Sequence, residues 1–300
     1  MTRRLVSLIM ILCSLAVSIY GQTTSDSIAI VSAHWETTVA SDGIIHKRAV
    51  ISDLYKGPQY INLIEIPSSR KLHYDIAISE MKQTSLISKE HQALASINGS
   101  FYNMKEGFSV CYLGKGKEVV DTTENNLFAR CTGAIHVHKK KVRILPWSKD
   151  IETKYKQKKG ATLASGPLLM QDGACVWNDE NDSFNSTKHP RSAIFTTKEK
   201  KTVFITVDGR RKGNATGVSI AELTHLIRIL GGHDALNLDG GGSSVLITKD
   251  KTTIVSTKTK EQIAKRVAII RKQMESASSD IELAQLQSRV SRLAGGVAVL

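Results

Sequence analysis

The sequence predicts an α+β fold: a strand-rich mixed or antiparallel sheet domain with few helices, followed by a C-terminal helical hairpin. Three observations support this prediction. Short β-branched runs recur between turn signals, as in sheet proteins. The best-marked helix, over 219–230, begins with Ser219 and Glu222 at the spacing of a capping box. After Ile247 the pattern changes to two amphipathic helical stretches.

The first half of the chain is predicted to consist mainly of antiparallel strands. Their runs are 28–35, 44–52, 60–67, 72–79, 108–113, 132–138 and 141–145. A helix is expected over 80–93, and a short strand over 94–97 leads into the motif NGSFYN. His136 and His138 alternate along one of these strands, and we interpret them as surface or barrel side chains rather than metal ligands.

The second half is predicted to contain two strands that end on an aspartate. The basic stretch 154–159 has no apolar periodicity and indicates a solvated loop. In KTVFITVDGR the apolar residues alternate as in a strand that ends at Asp208. After the helix over 219–230, the apolar run ALNLD leads directly into DGGGSS.

The N-terminus has the pattern of a signal peptide over residues 1–21. Arg3 and Arg4 precede the apolar run Leu5 to Ile19, and Gly21 provides a small residue at the expected cleavage point. About 15 apolar residues are fewer than the roughly 20 that cross a bilayer. We therefore expect a secreted or periplasmic protein without stable membrane insertion once the signal is removed. The cysteines that remain, Cys111, Cys131 and Cys175, allow at most one intramolecular disulfide.

The chain is strongly basic, with 41 Lys and Arg against 28 Asp and Glu and a net charge of +13. Such a charge indicates an anionic partner: nucleic acid, a membrane surface or an anionic substrate. Aromatic residues make up only 5% of the chain and are scattered from the lysines. This argues against a platform for single-stranded nucleic acid, so we expect no nucleic-acid partner.

The segment Asp239 to Ser244 carries the strongest local motif. Three consecutive glycines, Gly240, Gly241 and Gly242, let backbone amides converge as an anion nest beside Asp239. A plain turn is the simpler alternative. The segment lacks the Lys-Ser/Thr of a P-loop and the spacing of a dinucleotide-binding fold, and the chain contains no H-E-x-x-H, C-x-x-C or G-x-S-x-G.

Five motifs together resemble the phosphodiester glycosidase family, which includes N-acetylglucosamine-1-phosphodiester alpha-N-acetylglucosaminidase. In order they are INGSFYN, SGPLLMQDG, HPRSAI, TVDGRRKG and ALNLDGGGSS, and the resemblance covers about residues 30–247. It implies a secreted hydrolase that cleaves a sugar 1-phosphodiester during exopolysaccharide or glycan processing. It also implies a phosphorylated glycan or sugar phosphodiester as partner. The implied site residues are Asn98, Arg191, Asp208, Arg210, Asp239, Gly240, Gly241, Gly242 and Ser243.

The resemblance assigns these residues complementary roles. Asp239 is expected as the nucleophile or base, with Asp208 as its partner or as the group that orients an arginine. Arg191 and Arg210 would donate to phosphate oxygens together with the glycine-loop amides, and Asn98 would hold a sugar hydroxyl or the phosphate. Structural alternatives stay open, namely an ion pair for Asp208 and Arg210 and a turn hydrogen bond for Asn98. No cofactor is expected, and no ligand spacing indicates the divalent ion that the two aspartates would allow.

The C-terminal segment, residues 248–300, resembles a fragment of the group I bacterial chaperonin. It includes KDKTTIV, two helix patterns and LAGGVAVL, whose last part resembles the start of a strand without a partner. The predicted organisation is therefore a signal peptide over 1–21, a catalytic domain over 22–247 without the family's usual ending, and a chimeric C-terminus over 248–300. The alternatives to an enzyme are a non-catalytic carbohydrate-binding protein and an inactive chimeric product.

Overall fold

The structure, a computed structural model, describes most of the chain between residues 24 and 254. The described ranges are 24–69, 71–79, 82–103, 106–177, 182–211, 213–241, 244–248, 251–254 and 298–299. The predicted signal peptide and the predicted C-terminal helices lie outside these ranges, and both stay predictions. No helix within the described ranges is long and apolar enough to span a bilayer.

Strands dominate the described residues, and every strand pair is antiparallel, which confirms the predicted strand-rich fold. In chain order the strands are β1 Glu36–Val39, β2 Ile45–Ile51, β3 Gln59–Ile66, β4 Ile76–Ala77, β5 Ala95–Asn98, β6 Leu113–Lys115, β7 Glu118–Asp121, β8 Gly133–His138, β9 Lys141–Pro146, β10 Ala161–Ser165, β11 Leu168–Gln171, β12 Ala174–Cys175, β13 Arg191–Thr197, β14 Thr202–Val207, β15 Gly232–Asn237, β16 Val245–Thr248, β17 Lys251–Ile254 and β18 Ala298–Val299. The α-helices are α1 Thr24–Val31, α2 Thr84–Glu90, α3 Lys149–Lys154, α4 Ser183–Ser186 and α5 Ile220–Ile229.

The strands form three sheets. The eight-stranded sheet has the order β1-β2-β3-β14-β13-β15-β11-β12. The two five-stranded sheets have the orders β7-β6-β10-β8-β9 and β17-β16-β5-β18-β4. The eight-stranded sheet thus places β13 between β14 and β15, the strands that the sequence predicted to end on aspartates.

Both faces of the eight-stranded sheet are covered by apolar packing. Along β14, Val203 and Ile205 belong to the core cluster that includes the buried face of α5. Phe204 points to the opposite face and packs in the cluster that contains residues of β5, β8 and β10. Because successive strand side chains point to opposite faces, one alternating run fills two cores.

The helix α5 confirms the predicted capping box. The Ser219 hydroxyl accepts from the Glu222 amide at 3.2 Å, and the Glu222 carboxylate accepts from the Ser219 amide at 2.9 Å. Leu223 and Ile227 are fully buried on the face predicted to be apolar. Along the chain this helix lies between β14 and β15, and its buried face packs in a core cluster that contains residues of both strands.

The predicted strand over 28–35 is wrong, because its first residues belong to α1. Ile30 is buried in the core cluster of α5, and the Ser27 hydroxyl lies 3.0 Å from His225 Nε2 of that helix. Ile28 and Val31 stay exposed. The packing of this eight-residue helix against α5 therefore outweighs the β propensity of this β-branched run.

Other elements differ in extent from the predictions. The run 72–79 forms only the two-residue β4, and the helix predicted over 80–93 is limited to α2 within the described residues. The helix α3 reaches Lys154, at the start of the predicted basic loop, because Ser148 caps it by accepting from the Ile151 amide at 3.2 Å. Polar residues without apolar periodicity form this short helix, which explains why the pattern did not predict it.

Two strands beyond the predicted domain boundary complete the third sheet. β17 pairs with β16, so the hairpin crosses the boundary predicted after Ile247. β18 lies between β4 and β5, with Ala298 opposite Asn98 and Ala77. The expectation that the final strand has no partner is therefore wrong, because β18 pairs with β4 on one side and with β5 on the other.

Candidate active site

The eight-stranded sheet brings three of the predicted site residues to the same end of its central strands. We call this end the active-site edge. Asp208 directly follows β14, and Asp239 comes two residues after β15. β13 runs in the opposite direction between them, so its first residue, Arg191, lies opposite Val207. On its other side β13 pairs with β15 through Ala193 and Asn237. Antiparallel pairing therefore places both aspartates and Arg191 at the same end of the sheet.

Asn98 joins this edge from the neighbouring sheet. Its side-chain amide donates to the Asp239 carbonyl at 2.8 Å, and its side-chain oxygen accepts from the Ser192 hydroxyl at 2.8 Å. The Asp239 amide in turn donates to the Gly99 carbonyl at 3.0 Å. Asn98 is 1% exposed. It therefore ties the chain at Asp239 to the end of β5 and positions that aspartate.

The Asp239 carboxylate is oriented by its own turn. The Gly240 amide donates to one carboxylate oxygen at 2.8 Å. The Gly241 amide donates to the Pro190 carbonyl at 3.0 Å. Both amides therefore donate to acceptors within the protein and stabilise the loop. This differs from the predicted anion nest, in which they would donate to a bound anion. Gly242 and Ser243, the other predicted loop residues, lie outside the described residues.

Asp208 is buried at the end of β14. Its amide donates to the Tyr60 carbonyl at 2.9 Å, and its carboxylate lies 3.5 Å from the Arg211 guanidinium. Burial raises the pKa of Asp208, and the nearby charges of Arg211 and Arg48 act in the opposite direction. The charged form of this carboxyl is therefore less favourable in the folded protein than it would be in water.

Arg210 lies two residues after Asp208, is exposed to solvent and contacts a histidine. Its Nε and Nη2 atoms lie 3.3 and 3.0 Å from His189 Nδ1. A side chain added at Gly241 would approach Arg210 Nη1 to 3.3 Å, so the guanidinium lies directly beside the glycine loop. Burial lowers the pKa of His189, and Arg191 and Arg210 lower it further. A neutral His189 can accept from Arg210 through Nδ1.

Arg191 is buried and bound to the main chain. Its Nε donates to the Val218 carbonyl at 3.1 Å, and its Nη2 donates to the carbonyls of Phe184 and Thr187 at 2.5 and 3.0 Å. Burial lowers the pKa of Arg191 to about 10, so it still carries its charge at neutral pH. The guanidinium therefore holds the segment around α4 in place and brings a positive charge behind the site.

Two residues of this edge were missed as site residues. His189 belongs to the motif HPRSAI, and Arg211 follows Arg210 in TVDGRRKG, so both motifs contained the signal. The contact of His189 with Arg210 depends on the packing of two separate segments, which sequence spacing alone does not predict. Arg211, in contrast, contacts Asp208 only three residues before it in the chain.

No metal cluster involves Asp208 or Asp239 among the residues that the structure describes. The group of acidic and histidine side chains close enough to share an ion consists of Asp172, His233 and Asp234, whose ligand atoms lie within 4.8 Å of one another. It is located at the opposite end of β15. The Asp234 carboxylate already accepts from the Asp172 amide at 2.9 Å and lies 3.3 Å from His233 Nδ1.

Comparison with solved structures shows the same fold in two proteins. The catalytic domain of zebrafish N-acetylglucosamine-1-phosphodiester alpha-N-acetylglucosaminidase, auto-inhibited by its pro-peptide, matches with a TM-score of 0.56 at 13% identity, over 81% of this chain and 91% of that one. A hypothetical protein from Synechocystis matches with a TM-score of 0.55 at 16% identity, over 74% of this chain. This chain spans 61% of the length of the Synechocystis protein.

A family comparison covers the residues that build this edge. The model of the phosphodiester glycosidase family matches residues 91–270, which include Asn98, Asp208 and Asp239. The match also includes the β16–β17 hairpin, beyond the resemblance that was expected to end at 247. The family acts on phosphodiester-linked sugars. With three-fifths of its residues matched, this chain belongs to the phosphodiester glycosidase family.

Proposed function

We propose that this protein hydrolyses the bond between the anomeric carbon of a sugar and the phosphate of a sugar 1-phosphodiester. The observation that carries the proposal is the convergence of Asp208, Asp239 and Arg210 at one sheet edge within the family-matched residues. These residue types suit the reaction, because a departing phosphate needs charge neutralisation and the anomeric carbon needs a nearby carboxylate.

Asp239 acts on the anomeric carbon in this proposal, either as the nucleophile or as the base that activates water. As a base it takes a proton from water while the water oxygen bonds to the anomeric carbon. The bond from that carbon to the phosphate oxygen breaks, and its electron pair leaves with the phosphate. The phosphate is a weak base, so its departure needs little protonation. The anomeric configuration of the first-formed product, measured by NMR, distinguishes base from nucleophile.

Arg210 neutralises the departing phosphate. Its guanidinium is exposed beside the glycine loop, and His189 orients it from behind. Arg191 supports the same charge from a buried position but has its Nε and Nη2 donors on main-chain carbonyls. Asn98 contributes by holding Asp239, and Asp208 is the second carboxylate, which partners Asp239.

Turnover by the purified protein tests this function. We expect release of the free sugar from a panel of methyl sugar 1-phosphodiesters, and a loss of about 10²-fold or more for Asp239→Ala. Asp150→Ala, which removes an exposed carboxylate from the first turn of α3, provides the matched control and should keep full turnover. Equal turnover by wild type and Asp239→Ala would remove the assigned role of Asp239. Saturable binding without turnover would favour the carbohydrate-binding alternative.

The proposed location of this reaction is outside the cytoplasm. Support comes from the signal-peptide pattern over residues 1–21. The mature protein recovered from the exported fraction of its host should begin at Gln22, as measured by N-terminal sequencing or intact mass. A protein that retains Met1 and stays inside the cell would contradict this location.

A further inference from the structure

A basic cavity lies at the end of the eight-stranded sheet opposite the candidate active site. Its volume is about 870 Å³, and Thr197 at the end of β13 and Thr202 at the start of β14 form part of its wall. β13 begins at Arg191 in the active-site edge and has seven residues. At about 3.3 Å per residue, the cavity is roughly 20 Å from that edge. It is therefore a separate site.

The wall of this cavity is strongly positive. Two hairpin segments supply its cations, which are Lys140, Lys141, Arg143, Lys198 and Lys200. Its one carboxylate, Asp234, accepts from the Asp172 amide at 2.9 Å and from the Thr196 hydroxyl at 3.3 Å. Within the described ranges, no carboxylate lies within 4.0 Å of any of the five cations. Glu199, between Lys198 and Lys200, interacts with Lys198 through charge but does not line the cavity. The net charge of the wall is therefore positive, and its cations can contact a ligand.

A second cavity extends this positive surface. It has a volume of about 320 Å³ and shares Lys141 and Arg143 with the first. Lys158, Lys159, His136 and His138 complete its wall, which contains no carboxylate. Burial lowers the pKa of His136, and the charges of Arg143, His138 and Lys158 lower it further. We call the two joined cavities the basic cleft.

We propose that the basic cleft binds the phosphate groups of a glycan chain at a distance from the bond that is cleaved. Several phosphates along one chain would contact several cations, which is how a surface of exposed cations gains affinity for a polyanion. The hydroxyls of Ser68 and Ser69 in the same wall suit sugar and phosphate oxygens. The choice of a glycan rests on the proposed function, whereas the anion site rests on the cleft alone.

The aromatic content of the cleft argues for a glycan over a nucleic acid. Tyr74 is the aromatic residue of the first cavity, and the wall of the second consists of cations and histidines. Proteins that bind single strands stack successive bases on several aromatic side chains. The basic cleft lacks such a row among its lining residues, so we assign it to phosphate-bearing sugars.

Binding of dextran phosphate by the full chain tests this proposal. The test variant, R143Q/K198Q/K200Q, removes three charges from the cleft. The matched control, K89Q/K117Q/K154Q, removes three charges from exposed lysines outside both cavities. We expect fluorescence anisotropy at low salt to show that the test variant binds labelled dextran phosphate roughly tenfold more weakly than wild type does. The effect is not larger because each exposed ion pair contributes only a modest part of the binding free energy. The control should differ from wild type by less than about twofold.

Three results would overturn the proposal. They are equal weakening by both triple variants, equal binding of unmodified dextran, and tighter binding of an oligodeoxythymidine than of dextran phosphate. Cooperative melting checks that each variant is folded. Turnover of a small sugar 1-phosphodiester should be the same in both variants. Because binding is measured without turnover, a failure of the proposed reaction and a failure of the basic cleft give different results.

Discussion

Asp208 is buried in surroundings that disfavour its charged form, which is unusual for a carboxylate with a purely structural role. Burial raises its pKa, although Arg211 lies 3.5 Å away. Since its folded pKa is higher than its unfolded pKa, the charged form is disfavoured in the folded protein above that folded pKa. The cost is relieved as the pH falls through the folded pKa. A buried carboxylate that reduces stability at neutral pH is typical of a functional site.

Replacement of Asp208 separates a catalytic role from an ion pair. We expect Asp208→Asn to lower turnover by about 10²-fold or more, while its melting temperature is unchanged or higher at pH 7. Arg211→Gln is the companion variant. A fall of several degrees in the melting temperature of both variants, measured by calorimetry, would instead identify a structural ion pair.

Among the elements, the turn after β15 is constrained by close backbone contacts. A Cβ atom on Gly240 would lie 2.7 Å from the Pro190 carbonyl oxygen, which is too close for any side chain. The same turn holds the Asp239 carboxylate through the Gly240 amide. The glycine is therefore needed for the close approach of two backbones, and that approach positions the aspartate.

The substitution Gly240→Ala should displace the turn and reduce activity. We expect turnover to fall by about 10²-fold, the effect of a shift of about 1 Å in a reacting group. Gly173→Ala is the matched control: Gly173 has a φ of +80°, and its added Cβ meets nothing within 4 Å. It should cost roughly 1 kcal/mol of stability without loss of turnover. Equal turnover of the two variants would contradict the assigned role of this turn.

At the scale of the whole molecule, α1 is fastened to α5 by a buried chain of polar groups. His225 Nε2 lies 3.0 Å from the Ser27 hydroxyl, and its Nδ1 lies 2.7 Å from the Tyr55 hydroxyl. Burial lowers the pKa of His225, with Arg228 acting in the same direction and Asp26 against it. The neutral ring thus joins the N-terminal helix, the loop before β3 and the main helix.

Stability should decrease as the solution becomes more acidic. The unfolded pKa of a histidine is about 6.5, and the folded pKa of His225 is lower, so the unfolded state binds more protons between the two values. The melting temperature should be steady above about pH 6.5 and should fall between that pH and the folded pKa of His225. His136 and His189 act with the same sign. Asp208, whose pKa is raised, acts with the opposite sign at lower pH. His225→Gln should therefore make the decrease smaller without removing it, and an unchanged slope would contradict the role of His225.

The motifs predicted much of the candidate site because its residues lie at strand ends. Asn98, Asp208 and Asp239 each follow or end an apolar run, and the structure brings all three to one edge. The motifs did not predict that Arg191 donates to main-chain carbonyls. Its guanidinium donates to main-chain carbonyls of Val218 and of the segment around α4, a helix of four residues that no pattern indicated.

The sequence by itself determined the strand-rich fold, the capped helix α5, the family motifs and the positions of both aspartates. Those features depend on local periodicity and on turn residues, which neighbouring positions along the chain specify. Tertiary structure decided that 24–31 forms a helix, that β18 pairs with β4 and β5, and that two hairpins gather five cations into one wall. These features depend on contacts between segments far apart in sequence, where burial and backbone pairing outweigh local propensity.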